Sequence, residues 1–497
     1  MEWSEDDIRR FGGRVADLVA EYFAGLESRA IGPLDVAGLP EAFAAPLPEE
    51  GSDPFRLLDE VRGRVVAGSF HLGAPRYFGL FNPTPTVIGV FADAIASMLN
   101  QNMAAWCHGP AGAQIEKTVI RWMCDLIGFP DGAFGTMTSG GTVANLTGLK
   151  VALSEKVPEV RRIGVAAAEG RPTFYVSTQA HYSVDRLADV LGLGSEGMRR
   201  IQGDGSGRIV PELLERQIRS DIDAGRLPFA VIGIAGTTTS GAIDPLDELA
   251  DLCARHRLWC HVDAAWGGAV RMSERHRGLL SGIERADSVT LDPHKWFSVP
   301  YAAGAIVVRD GAALRRAFEV KPHYVSDRAF VEHEDLNLFQ FGIHGSRRFD
   351  ALKVWLSLRQ YGRRGYAEAV DRQIALAEYL ARKVEASEDL IPASPPSLGV
   401  FCFRYLPPSM RRPAAGSMQD GAVPDEPRAQ RALDEHHRTI QDALERRGRA
   451  WISTSMLAGR RVFRFCATSY LSRERHVDEL LEELRLAAAS AGEPACG

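Results

Sequence analysis

Of the seven lysines in this 497-residue chain, only Lys295 stands at the end of an apolar, β-branched run: Ser288-Val289-Thr290-Leu291 leads into Asp292-Pro293-His294-Lys295-Trp296. A semi-buried lysine with an imidazole and an indole as chain neighbours gives up its proton more readily than a solvated one. Its free amine can then attack a carbonyl carbon, as Schiff-base chemistry requires. A second apolar run ends in His261-Val262-Asp263 and continues Ala264-Ala265-Trp266-Gly267-Gly268. A carboxylate there costs free energy unless it meets a cation or a protonated nitrogen, and the small residues after it let something flat lie close. A structural ion pair is the other reading of Asp263.

Thr136 to Leu146, through Ser139-Gly140-Gly141-Thr142, opens a helix that should run to about Ser154. Its free N–H groups and dipole suit an anion. An ordinary Thr/Ser cap with glycine packing accounts for the same residues. His181 follows the run Thr173 to Ser177 by four residues, either as a satisfied hydrogen-bonding group or as a catalytic one. Anion cradle, histidine, acid and lysine together suit a cofactor with a phosphate, a pyridine nitrogen and an aldehyde. One tempting motif belongs elsewhere: Gly192 to Gly197 satisfies G-x-G-x-x-G, but a helical pattern over Val184 to Val190 precedes it. Without a strand before it, a dinucleotide fingerprint reads as a turn.

These residues need strands to carry them. From about residue 88 to 365, helical segments alternate with short apolar runs, among them Ala230 to Ala235, Trp259 to Asp263 and Gly304 to Val308. Near-continuous apolar strands between helices predict an α/β domain with a mostly parallel sheet covered on both faces. Ligands in such sheets lie beyond the carboxyl ends of the strands, where all the candidates stand. Residues 1–87 read as an N-terminal helical arm, apolar at Ile8, Phe11, Val15, Leu18, Val19 and Phe23, followed by a Pro- and Gly-rich linker over Ile31 to Pro54. Residues 366–497 read as a small α+β domain with a helix from Tyr366 to Glu388, a strand near Val400 to Tyr405, a loop over Pro407 to Arg428, a strand near Arg461 to Phe465 and a last helix near Arg475 to Ala489.

A formal charge of −6 excludes the basic footprint of a nucleic-acid binder, and 45% hydrophobic with 25% charged residues excludes wholesale disorder. No apolar run reaches the roughly 18 residues of a membrane span. The acidic start, Met1 to Asp7, has no basic leader and predicts a cytoplasmic protein. The seven cysteines form no C-x-x-C pair and read as reduced thiols, without a disulfide frame or a metal site.

Thr138-Ser139-Gly140-Gly141-Thr142-Val143-Ala144-Asn145, Gln179-Ala180-His181, Gly236-Thr237-Thr238-Thr239, His261 to Ala265 and Asp292 to Trp296 occur in that order. Together they resemble the pyridoxal-phosphate-dependent group II decarboxylases, which include the aromatic-L-amino-acid, tyrosine, glutamate and diaminobutyrate decarboxylases. The likeness runs from the N-terminal helix, through Ala74 to Gly79, to Phe463-Arg464-Phe465. It implies the type I fold of pyridoxal-phosphate enzymes, pyridoxal 5'-phosphate as cofactor and decarboxylation of an L-amino acid to its amine. Lys295 would carry the cofactor as its internal aldimine, Asp263 would pair with the pyridinium nitrogen, and His181 would stack on the ring. Gly141, Thr142 and Asp292 would surround the phosphate, and Thr238, Ala265 and His294 would line the cofactor. The resemblance also implies a homodimer with shared active sites, in which Asn100 to His108 reaches the neighbour's cofactor.

Departures from the aromatic enzymes concern the substrate. The expected pocket comprises Leu80, Phe81, Asn82, Asn102, Ala104 and Trp106, and its composition suggests a polar or less bulky side chain. Aligning backward from Ser346-Arg347-Arg348-Phe349 puts Leu338, beside Phe339 and Phe341, where those relatives carry a proton-donating loop tyrosine. Tyr324 is the expected substitute, with His323, His333 and His344 as other titratable groups between Val320 and Gly345. Without a donor, the alternative outcome is decarboxylation coupled to oxidative deamination, giving an aldehyde. A non-catalytic pyridoxal-phosphate-binding relative is the other alternative.

Overall fold

The computed structural model describes residues 2–32, 38–320, 337–411 and 427–493. A first short strand, β1 (Tyr77–Phe78), joins a small sheet described below. The chain then builds a seven-stranded sheet from β2 (Phe134–Thr138), β3 (Pro172–Ser177), β4 (Met198–Ile201), β5 (Leu227–Ile234), β6 (Trp259–Asp263), β7 (Ser288–Leu291) and β8 (Gly304–Val308). Their spatial order is β2-β8-β7-β6-β5-β3-β4. Neighbouring strands pair in parallel except around β8, which runs antiparallel to both β2 and β7. The α/β reading with a mostly parallel sheet holds, and the architecture is the type I fold.

Alternation divides the apolar strands between two cores, because successive side chains point to opposite faces. On β8, Ala305 and Val307 enter one core and Ile306 and Val308 the other. On β6, Cys260 and Val262 face the first core and Trp259 the second. His261 and Asp263 share Trp259's face, toward the helix Gly141–Lys156, and that alternation aims the acid at the site.

Two strands of the seven-stranded sheet escaped the sequence reading. Thr136 to Thr138, taken as part of a helix opening, is the end of β2, and the helix begins only at Gly141. β4 hides its pattern behind Arg199 and Arg200; Arg199 pairs with the buried Asp221 at 2.8 Å. The Gly192–Gly197 motif is a turn that leads into β4, with a strand after it and none before.

The second sheet has the order β1-β11-β12-β10-β9, where β9 is Leu390–Pro392, β10 Val400–Tyr405, β11 Trp451–Leu457 and β12 Arg460–Cys466. Tyr77 of β1 pairs in parallel with Trp451. Helices Pro427–Arg447 and Glu474–Ala491 cover this sheet. One helical stretch, Ala351–Glu385, begins earlier than the expected Tyr366 and bends at Gly362, whose φ of 63° breaks the helical run. The Ile31 to Pro54 stretch includes a short helix, Leu39–Phe43, in place of a featureless linker.

The N-terminal helix Glu5–Gly25 is capped by Ser4, whose Oγ accepts the Asp7 N–H at 3.1 Å, and it buries none of its residues. Helix Val87–Leu99 buries Gly89, Ala92 and Ala96 and leaves Val87, Phe91, Ile95, Met98 and Leu99 exposed along one stripe. Among the described residues no helix is long and apolar enough to cross a membrane.

Candidate active site

The carboxyl ends of β6 and β7 and the start of helix Gly141–Lys156 converge on a cavity of about 680 Å³. It is lined by Gly141, Thr142, His181, Thr238, Asp263, Ala265, Asp292, His294 and Lys295, so residues spread over more than 150 positions share one wall. Leu80, Phe81 and Asn82 line its other side. Asn102, Ala104 and Trp106 do not line it. The Asn102 Oδ1 accepts the Ala104 and Arg347 N–H groups at 3.1 Å each, and the Trp106 N–H donates to Asn337 Oδ1 at 3.2 Å.

Lys295 follows β7 by four residues, and its Nζ lies 3.0 Å from Asp292 Oδ2. Its expected neighbours turn away from it. The Trp296 indole stacks on Trp266 at 4.4 Å and donates to Gln373 Oε1 at 2.6 Å, outside the cavity lining. The His294 Nδ1 lies against the Ala303 backbone, 2.6 Å from its carbonyl oxygen and 3.1 Å from its N–H nitrogen, while its ring leans on Tyr301 at 4.3 Å. Burial pushes the His294 imidazole below the ordinary histidine range.

Asp263 is held on both oxygens: Oδ1 accepts the Ala265 N–H at 3.1 Å and Oδ2 the Asn145 amide at 2.8 Å. His181 Nδ1 lies 2.9 Å from Ser183 Oγ. Burial lowers its proton affinity and the nearby Lys295 lowers it further, against opposing pulls from Asp263 and Asp292. The ring is therefore neutral near pH 7.

The residues fit the cofactor on grounds internal to the structure. The Gly141–Lys156 helix brings its start to the cavity, where the Gly141 and Thr142 N–H groups have no backbone partner among the described residues, while Val143 donates to the Gly140 carbonyl at 3.1 Å. A Cβ on Gly141 would lie 2.8 Å from Asp292 Oδ2, so only glycine permits this approach. Asp292 is buried, and its Oδ1 has no hydrogen-bond partner among the described residues. Anion cradle, paired lysine and strand-end acid surround one space large enough for a pyridine ring and its phosphate.

Sequence reasoning named Phe81 and Asn82 but gave no role to Trp266, Tyr301 and Arg464, which line the cavity beside them. Phe81 is sandwiched between Trp266, stacked at 4.1 Å, and the Arg464 guanidinium, 4.7 Å from its ring centre. Arg464 is buried; its Nη1 donates to the Gly79 carbonyl at 2.9 Å, while Nε and Nη2 have no partner among the described residues. Tyr301 donates to the Phe81 carbonyl at 3.1 Å and accepts the Asn82 amide at 2.9 Å. Asn145 and His261 sat inside quoted motifs with no role assigned. Their spacing was a usable signal: Asn145 lies one helical turn after Gly141, and His261 two strand residues before Asp263.

On the loop side, Leu338 and Phe341 are buried in the two cores and Phe339 N–H donates to Ala104 O at 3.0 Å, so this stretch is packed structure beside the 100–108 segment. His344 is half-buried and does not line the cavity. Tyr324, His323 and His333 lie outside the described residues.

Residues 39–406 match the pyridoxal-dependent decarboxylase conserved domain. The chain is 34% identical over 489 residues to an aromatic-L-amino-acid decarboxylase of Bacillus atrophaeus, covering 98% of this chain and 97% of the relative. It is 33% identical over 366 residues to the cysteine sulfinic acid decarboxylase of Rattus norvegicus, covering 73% of this chain and 74% of that one. The crystal structure of the Oryza sativa TDC with PLP and tryptamine superposes with a TM-score of 0.88 at 26% identity, over 99% of both chains. The fold, the convergent cavity and these likenesses agree, and the chain belongs to the pyridoxal-dependent decarboxylase family as an amino-acid decarboxylase that uses pyridoxal phosphate.

Proposed function

We propose that Lys295 is the amine that holds the cofactor's aldehyde carbon and that Asp263 faces the ring nitrogen. The observation that carries this reading is the convergence of Lys295 and Asp263, from the ends of neighbouring strands, on one cavity that also receives a helix start. When bound, pyridoxal phosphate supplies a sink for the electron pair left as the Cα–carboxylate bond breaks and carbon dioxide leaves. The chain's residues do the rest. Gly141 and Thr142 N–H groups, with Thr238 nearby, would hold the phosphate, Asp292 would keep Lys295 in place, and His294 would line the cofactor. His181 and Ala265 cover the two faces of the ring. A protein acid then returns a proton to the α-carbon, and Tyr324 is our candidate for it.

Two nitrogens of the buried Arg464 that have no partner among the described residues, on a cavity that Asn82 and Tyr301 also line, support a substrate whose polar or acidic side chain reaches this wall. The exposed stripe of helix Val87–Leu99 and the unburied N-terminal helix support a homodimer, with Asn100 to His108 directed at the partner's site. We read residues 1–87, 88–365 and 366–497 as arm, large domain and small domain, a division supported by the bend at Gly362. The six described cysteines are free and all but Cys107 are buried, which supports a reducing, cytoplasmic setting.

Borohydride reduction of the holoenzyme followed by peptide mapping tests the central assignment. The cofactor should be found on Lys295, and a label on another lysine would overturn it. Activity on a panel of amino acids, followed as carbon dioxide and amine, tests the substrate class. Sedimentation at micromolar concentration tests the dimer.

A further inference from the structure

Behind Asp263 runs a chain of buried hydrogen bonds that the assigned activity does not account for. Trp259 Nε1 donates to Ser288 Oγ at 2.8 Å, and Ser288 Oγ lies 2.7 Å from His261 Nδ1. His261 Nε2 lies 3.0 Å from Asn145 Oδ1, with a longer contact of 3.4 Å to Thr290 Oγ1. The Asn145 amide closes the chain on Asp263 Oδ2 at 2.8 Å. The register makes this possible: Trp259, His261 and Asp263 alternate onto one face of β6, and His261 pairs across to Ser288 on β7.

Chemistry at the two ends fixes the direction of every bond between them. An indole N–H only donates and a carboxylate only accepts. Asp263 therefore takes the Asn145 NH₂, which turns the Asn145 carbonyl toward His261. His261 Nε2 must carry the hydrogen that this carbonyl accepts, so Nδ1 is bare and takes the Ser288 hydroxyl hydrogen. Ser288 oxygen in turn accepts from Trp259. All the N–H and O–H dipoles thus point toward Asp263, without a formal positive charge among them. Burial agrees, pushing the His261 imidazole down to about 4 and keeping it neutral. The sequence makes room for the ring as well: a Cβ on Gly148 would lie 2.8 Å from His261 Nδ1.

We propose that His261, acting through Asn145, is a positioning residue for Asp263, and that the one-way relay from Trp259 and Ser288 holds the carboxylate's charge and direction toward the cofactor's ring nitrogen. Aligned donors polarise one another and strengthen the last bond in the series. The inference rests on the reading of Asp263 given above. It adds that the acid is incomplete without the relay.

The test uses full-length His261→Phe, Asn145→Ala, His261→Gln and Asp263→Ala, loaded with pyridoxal phosphate labelled with ¹⁵N in the ring. Thermal melting of each variant is followed alongside. The first two should weaken cofactor binding on the order of tenfold and move the ring ¹⁵N resonance toward the unprotonated position. His261→Gln, which keeps a donor toward Asn145, should restore most of both. Unchanged affinity and resonance in folded His261→Phe and Asn145→Ala would overturn the relay. If Asp263→Ala also leaves both unchanged, the reading of Asp263 itself fails. Should the relay variants not fold, ¹⁵N spectra of histidines in the wild-type protein decide: the Nε2–H tautomer of neutral His261 is expected, and an Nδ1–H or charged ring would refute the direction of the chain.

Discussion

The end of the cavity where we place the cofactor and the wall opposite are built in different ways. At the cofactor end, each group is fixed by neighbours on the same strand, the adjoining strand or the covering helix, as when Asp263 takes the amide of Asn145 and the N–H of Ala265 two residues on. The opposite wall is assembled from remote pieces. Arg464 of β12 donates to Gly79 across a separation of 385 residues, and Tyr301 reaches back to Phe81 and Asn82. Chemistry common to many substrates can be carried by short motifs on rigid strand ends. A wall that selects a substrate can change piece by piece without disturbing that frame.

The contrast predicts that substitutions at the cofactor end abolish turnover, while those on the wall retune it. Lys295→Ala should have the largest effect, roughly 10⁴-fold or more in kcat, because both the covalent tether and an acid–base group are lost. Single-turnover carbon dioxide release measures it, and retention of a tenth of the activity would break the contrast at its strongest point. Asp263→Ala comes next, on the order of 10³-fold, with weakened cofactor binding by visible absorbance. Near-normal turnover would remove Asp263 from the site.

Acid sensitivity sharpens the comparison by dividing it between two regions. His261 behind Asp263 and His437 on helix Pro427–Arg447 are both pushed by burial from 6.5 down to about 4. His437 Nε2 accepts the Tyr405 N–H at 3.2 Å and Nδ1 donates to the Arg461 carbonyl at 3.1 Å, the pairing of a neutral ring. Between these two values the unfolded chain takes up protons that the native state refuses, so stability falls as pH falls through this window. The slope is about 1.4 kcal/mol per pH unit for each histidine, and neither contributes above the window. Urea melts of His261→Gln and His437→Gln across this range should each be flatter than wild type. A slope unchanged in both would show that these rings are not buried neutral.

The same division explains what could be read without coordinates. Lys295, Asp263 and the helix start at Gly141 were legible because a strand's end, an apolar run and a glycine pair are local signals. β2 and β4 were not, since Thr136, Thr138, Arg199 and Arg200 interrupt the apolar pattern and their pairing with β8 and β3 is a tertiary fact. Leu338 looked like a loop residue standing in for an acid, yet it is buried beside the 100–108 segment. No spacing rule brings residues 81, 301 and 464 together, and no local signal told that Trp296 turns away from Lys295.

Asn82 should give the smallest effect and the most specific one. Its Nδ2 donates to the Tyr301 hydroxyl at 2.9 Å, and Tyr301 donates in turn to the Phe81 carbonyl at 3.1 Å, which holds the ring of Tyr301 against His294. Asn82→Ala removes one neutral donor at a half-exposed position, where water can take its place. The cost is therefore about 1 kcal/mol, roughly a fivefold rise in KM for a polar substrate. Because Phe81 stays clamped between Trp266 and Arg464, kcat and cofactor affinity should hardly move. Asn82→Leu should go further and shift preference toward apolar side chains, since it puts methyl groups where the wall offered an amide while Tyr301 keeps its bond to the Phe81 carbonyl. Initial rates on paired polar and apolar amino acids, with the cofactor dissociation constant measured in parallel, separate the two effects. A loss of cofactor affinity equal to the change in KM would place Asn82 with the cofactor end and erase the distinction between the two walls.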